Sequence, residues 1–400
     1  MRIRRTFGGP VGRLTLVMSC VFAGMGVALP FLGRWLEEVH GLSGLEIAAV
    51  LSGAQLARFA VGPLIAAWAD GFQDRRVALR VLSVAALALY VAFFNAQGFW
   101  ALFVTSFLAQ TMGQAMTPLV EGAILRGALV YGGLSYGVAR GIGSLAFIVS
   151  NIAGGLLIAR FGIEAVAAYI LASMAAAMLS ALFALAPDPV ETGDGVGVRG
   201  RLKEALALFR RPAFALPVAA ASLIQCGHSF YYGFSTLVWA KQGFSDALIG
   251  WLWAFGGIIE VALLWTLPRF ERRFSPEALI AWGGAAAVLR WAAMSFLPPA
   301  ALMWPLQALH ALTFAATHVG ALKLVQREAP PHIAGVAQTL YAALASGTLA
   351  GLSMLISGAL YDSVGALGYL AMAALAAAGL AIMVRKIPSG RVSRDQSPPP

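Results

Sequence analysis

The fold this chain predicts is an all-α polytopic membrane protein: twelve transmembrane helices in two pseudo-symmetric six-helix bundles. Three observations predict it. Of the 400 residues, 60% are hydrophobic and only 12% are charged, against roughly 25% charged in a soluble domain. The apolar runs are each about 20 residues long, enough to cross ~30 Å of hydrocarbon at 1.5 Å per residue. The first and second halves of the chain also repeat one another. No series of short alternating segments argues for a β-barrel.

The spans are expected at about 14–33, 43–69, 77–95, 99–124, 135–158 and 165–186, then 213–237, 245–267, 277–297, 299–325, 334–360 and 365–384. Pro298-Pro299 separates the ninth from the tenth. The basic start Met1-Arg2-Ile3-Arg4-Arg5 also suits a signal peptide. The run from Leu14 to Leu32 is long, however, and Pro30-Phe31-Leu32 does not resemble a small-residue cleavage site. It reads as a retained first helix. Segment 187–212 opens on Pro187-Asp188-Pro189 and carries Arg199, Arg201, Lys203, Arg210 and Arg211. It is the only long polar stretch inside the chain. It separates an N-terminal bundle, 1–186, from a C-terminal one, 213–386. A polar, Pro-rich tail, 387–400, is expected to be disordered.

The net charge of +10 does not imply nucleic acid as a partner. Twenty-one of the 28 Lys and Arg lie in one set of loops and tails, and only three in the other. The positive-inside rule therefore places both termini and the central loop in the cytoplasm. Cys20 and Cys226 sit within apolar runs and read as core residues, with no disulfide framework.

The repeat draws attention to two charges. Gly41-Leu42-Ser43 precedes Arg58 by seventeen residues, and Gly243-Phe244-Ser245 precedes Glu260 by the same interval. Gly137-Val138-Ala139-Arg140 recurs as Gly335-Val336-Ala337-Gln338. A charge at bilayer depth costs at least ~2.5–3.5 kcal/mol, so charges at matching points of a repeat point to a solute pathway between halves.

Nine ionisable residues stand in or at the edges of spans: Arg58, Glu121, Arg140, His228, Glu260, Arg290, His310, His318 and Lys323. Proton-coupled transport needs a group that changes charge and a fixed cation that holds it or an anionic solute. Glu260 is the candidate proton carrier; a static buried ion pair is the alternative. Arg58 cannot lose its proton, so it suits a solute carboxylate or an internal partner. Glu121 and Arg140 flank one short loop, as a site or as an interfacial salt bridge. His310 and His318 are eight residues apart, ~80° around an α-helix, so they do not form a metal pair. The histidines also read as packing residues, and Lys323 as a snorkelling one. Trp251, Trp253, Phe230, Tyr231 and Tyr232 suit a pocket for an apolar ring, or an interfacial belt. No Walker loop or Rossmann fingerprint is present, which excludes ATP-driven transport within this chain.

Several stretches carry a resemblance. The loop Ala66–Arg76 has an acid, Asp70, followed by Arg75 and Arg76, with Ala and Gln where glycines are usual. Gln55-Leu56-Ala57-Arg58, Gly257-Ile258-Ile259-Glu260, Leu309-His310-Ala311-Leu312-Thr313-Phe314 and Gly335-Val336-Ala337-Gln338-Thr339-Leu340-Tyr341 follow in order, and Tyr361-Asp362-Ser363-Val364-Gly365 closes the set. The chain resembles the major facilitator superfamily, in its lactose permease-like branch with the phenylpropionate and nucleoside proton symporters.

The resemblance implies solute contacts at Glu121 and Arg140 with Glu260 taking part near them, proton coupling by Arg290 and His310, and a gating loop at Asp70, Arg75 and Arg76. The residues themselves add Glu260 as the proton carrier and Arg58, Gln338 and Tyr341 as further solute contacts. Thr313 stands where the family carries an acid, and the acid of span seven has no counterpart, which argues against a sugar. The family's arrangement sets span two against eleven and span eight against five, so Glu260 is expected to face Arg140 and Arg58 the Gln338–Tyr341 side. The expected activity is symport of an aromatic or other carboxylic acid with protons. The setting would be the bacterial inner membrane. The chain would act as a monomer in lipid, driven by the proton gradient without a cofactor. Efflux by proton antiport, and a membrane-embedded enzyme or sensor, are the competing readings.

Overall fold

The computed structural model describes residues 9–72, 74–131, 134–183, 185, 198–270 and 274–386. The expected tail 387–400 and the start of the central loop lie outside these residues. Every regular element described is a helix. Among the described residues, eight helical stretches, from Pro10–His40 to His332–Arg385, are long and apolar enough to cross a membrane. In chain order the first half holds α1 (Pro10–His40), α2 (Gly44–Asp70), α3 (Arg75–Asn95), α4 (Phe99–Tyr131), α5 (Tyr136–Phe161) and α6 (Ala165–Phe183). A short helix, α7 (Val198–Leu208), lies inside the segment read from sequence as the polar central loop.

The second half holds α8 (Pro212–Cys226), α9 (Ser229–Lys241), α10 (Asp246–Phe270), α11 (Pro276–Met294), α12 (Ala300–Ala308) and α13 (Thr317–Glu328), then α14 (Pro331–Ala342), α15 (Ala350–Val364) and α16 (Gly368–Lys386). The stretch expected as one helix over 213–237 is two, broken at Gly227-His228. Wide π-helical turns, Ala311–Ala316 and Ala343–Leu349, join α12 to α13 and α14 to α15. Such turns are rare and often mark functional sites.

The repeat has a local structural basis. α1 ends on Gly41 at φ 64°, and α9 is followed by Gly243 at φ 90°. Both are left-handed values that glycine adopts without strain. Ser43 then caps α2, its hydroxyl accepting from Glu46 N while the Glu46 carboxylate reaches back to Ser43 N at 2.9 Å. Ser245 accepts likewise from Leu248 N. These caps set the register at which Arg58 and Glu260 follow.

The halves meet along α5–α10, α2–α15 and α1–α9. Small residues let backbones touch. A Cβ on Gly155 would fall 2.4 Å from the Asp246 carbonyl, and one on Gly358 2.4 Å from the Gly44 carbonyl. Polar contacts cross at this same end. Arg34 of α1 bonds Asp246 of α10. Glu37 accepts from Lys241 Nζ and from the Tyr361 hydroxyl, each at 2.9 Å. The Asp362 carboxylate accepts from Gly44 N at 2.6 Å and Leu45 N at 2.9 Å.

At the opposite end, Gly62, Gly137, Gly141 and Gly335 have open space where a Cβ would stand. The buried core agrees. One apolar cluster runs from Phe31 and Trp35 across to Phe230 and Trp291. A second, around Val17, Val120 and Ala181, stays within the first half. Among the described residues, the close glycine and polar contacts between the halves lie at the end holding Arg34 and Lys241, which is closed.

Candidate functional site

Arg290 of α11 is fully buried. Its guanidinium donates from Nη1 to His310 Nδ1 at 3.1 Å and to Thr313 Oγ1 at 3.3 Å. Nη2 donates to Gln307 Oε1. The Gln307 amide in turn donates to the Tyr231 hydroxyl at 3.0 Å and to the Leu252 carbonyl at 3.1 Å. The rings of Tyr231 and Trp291 lie 4.6 and 4.5 Å from the guanidinium carbon, close enough for cation–π attraction. Among the described residues no carboxylate touches Arg290. Glu260 comes nearest through His310, whose Nε2 stands 3.4 Å from Glu260 Oε2.

This geometry assigns the imidazole hydrogen. Arginine has donors only, so His310 Nδ1 must accept. The hydrogen of the neutral ring is therefore on Nε2, facing Glu260. A second proton on Nδ1 would point at an N–H of Arg290. Thr313 stands at the hub, since its hydroxyl oxygen also lies 3.0 Å from His228 Nε2.

The rings of His310, Phe314 and His318 stack in sequence at centroid distances of 5.4 and 6.2 Å, and Tyr341 continues the stack at 6.1 Å from His318. The expected ~80° separation of the two histidines does not hold. The π-helical turn between them has more residues per turn than an α-helix and carries i, i+4, i+8 onto one side.

On the facing helix, Arg140 Nε lies 3.2 Å from Glu121 Oε1, while Nη1 donates to Ser144 Oγ at 2.8 Å. The Phe22 ring sits 4.7 Å from its guanidinium carbon. Helix α10 does pack on α5, with a Cβ on Gly257 3.1 Å from Ile148 Cγ1. One turn along each antiparallel helix brings Glu260 level with Ser144. Glu260 and Arg140 nevertheless take separate partners, His310 and Glu121, where the sequence suggested they would face each other.

The structure thus joins Glu260, Arg290 and His310 in one cluster and Glu121 with Arg140 in another. Tyr341 belongs to the ring stack, and Gln338 is exposed on α14. Helix α2 packs on the second π-helical turn and α15, but the side chains of Arg58, Asp70 and Arg75 lie outside the described residues. Arg76 pairs with Asp74 at 2.6 Å. Gln307 and Thr313 are the residues sequence reasoning missed as site members. Both are polar residues within a turn of His310 in an apolar stretch, and that was the available signal.

Comparison with known proteins places this geometry in context. The MFS_1 like family matches residues 12–370. A probable 3-phenylpropionic acid transporter of Escherichia coli (strain K12) is 27% identical over 376 residues, covering 94% of this chain and 98% of its own length. A maltose permease of Geobacillus stearothermophilus is 26% identical over 345 residues, covering 86% of this chain and 85% of its own. The crystal structure of the nucleoside transporter NupG superposes with a TM-score of 0.80 at 17% identity, covering 94% of this chain and 98% of that one.

Proposed function

The chain belongs to the MFS_1 like family and is a membrane transporter rather than an enzyme; from this premise we propose that it carries a small carboxylic acid, an aromatic one first, together with protons. The transport unit in this reading is a monomer of twelve spans in two six-helix bundles, in the bacterial inner membrane with both termini cytoplasmic. The halves rock about the shared seam, so the site opens to one side at a time.

The observation that carries the reading is the Glu260–His310–Arg290 cluster one turn from Arg140 on the facing helix. Glu260 takes the proton, because Arg290 blocks the second nitrogen of His310. Arg140 rests on Glu121 and exchanges it for the solute carboxylate. Arg58, Gln338 and Tyr341 form the remaining wall, and the loop of Asp70, Arg75 and Arg76 controls opening at its end. The relative of E. coli named for 3-phenylpropionic acid supports an aromatic acid as the solute.

Purified protein in sealed vesicles tests this directly. Adding 3-phenylpropionate should drive protons in the direction of the solute, recorded by a trapped pH dye. Glu260→Gln should bind the acid yet fail to move protons. Proton movement opposite to the solute would favour antiport. The coupling scheme fails if Glu260→Gln accumulates solute as the parent does, and the solute class fails if only sugars or nucleosides give a signal.

A further inference from the structure

A crevice of about 590 Å³ lies at the seam between the halves, away from the charged cluster. Ser52, Gly53 and Leu56 of α2, Phe103 and Phe107 of α4 and Leu355 of α15 wall it. Among the described residues its wall contains no ionisable side chain. The one polar side chain among them is Ser52, fully buried, whose hydroxyl has no hydrogen-bond partner. Water in a cavity needs two to four polar partners, so one hydroxyl does not retain it. A charged or strongly polar ligand would lose its hydration here without compensation.

The crevice opens on the surface that meets lipid. Neighbours on the same three helices are large, apolar and outward-facing: Leu45 on α2, Trp100 and Val104 on α4, Leu352 and Ile356 on α15. A groove of this shape in a bilayer fills with hydrocarbon, since lipid chains are the only solvent at that depth. The two walls belong to different halves. At its wall the seam is tight: a Cβ on Gly351 would fall 2.5 Å from Leu56 Cδ2. Any movement that parts α2 from α15 must widen the crevice.

We propose that this crevice binds a single lipid acyl chain, and that the chain, by touching both halves, favours the state in which α2 and α15 are together. The occupant is selected by shape and apolarity alone. An apolar small molecule of similar width would compete with it.

The experiment uses the full-length protein in vesicles containing a phosphatidylethanolamine with a photoactivatable diazirine on one chain, followed by peptide mapping. Labelling on α6 at Leu179 and Phe183, exposed elsewhere on the molecule, is the reference for general lipid contact. Label at Phe103–Phe107 and Leu355 should exceed that reference. Gly53→Leu projects toward Phe103, whose ring is 3.2 Å from a Cβ there, and should at least halve the crevice label. Leu355→Ala enlarges the space and should raise labelling of Phe107; it also keeps the test decisive should Gly53→Leu fail to fold. Crevice labelling equal to the α6 reference, or unchanged in both variants, overturns the proposal.

Discussion

Arg290 is a buried cation whose partners are all neutral. Placing such a charge in a low-dielectric interior costs several kcal/mol after relaxation. Three hydrogen bonds from its terminal nitrogens and two ring faces offset much of that. Gln307 is central to this balance, because its oxygen accepts from Arg290 while its amide ties Tyr231 and the α10 backbone. Gln307→Leu should destabilise the protein by about 1.5–3 kcal/mol, the range for hydrogen bonds to charged groups. Gln307→Glu should restore much of the loss by supplying an acceptor of opposite charge. Thermal unfolding in detergent checks both. An unchanged midpoint for the leucine variant would mean that Arg290 finds another acceptor.

Helices decide which faces meet. That the chain is built of apolar, membrane-length helices was legible in the sequence because twenty apolar residues have no other stable use in a long chain. Their interruptions were not. The break at Gly227-His228 and the turn at Ala311–Ala316 depend on neighbours: Gln225 of α8 donates to the Phe314 carbonyl, a group within the widened turn. A pattern read at 100° per residue therefore misplaced His318. Small-residue contacts were legible as composition, but not in their pairing. Gly155 faces Asp246 and Gly250 across the seam. Gly155→Leu leaves no room for α10 at that point, so it should hold the closed end apart. Spin-label distances between α5 and α10 at that end should lengthen, and transport should fall sharply. Unchanged distances with normal transport would show that the α5 backbone yields instead.

For the whole molecule, the closed end is held by dispersed polar contacts above a continuous apolar core. The exposed pairs each contribute about 0.2–1 kcal/mol and weaken with salt. Under the proposed rocking of the halves, that suits an equilibrium that must reverse, since a very strong seal would trap one state. Replacing Arg34 and Lys241 together by alanine should shift the closed-to-open ratio by roughly fivefold, on the order of 1 kcal/mol. Labelling of a cysteine placed near Gly44 by a water-soluble thiol reagent reads this shift. No increase over the parent would assign the seal to Asp362 on the α2 amides and to the glycine contacts.

The sequence alone determined that this chain lives in a bilayer, that its halves repeat, and that charges stand at matching points of that repeat. Those properties follow from composition, spacing and the cost of burying charge, all of them local or additive along the chain. Glu260 was visible as a charge, and His310 and Arg290 as possible partners. Only the tertiary structure decided that Glu260 meets His310 while Arg140 meets Glu121, and that Gln307 and Thr313 complete the cluster. A partner on another helix depends on rotation and register, and one widened turn alters both without leaving a mark in the apolar pattern.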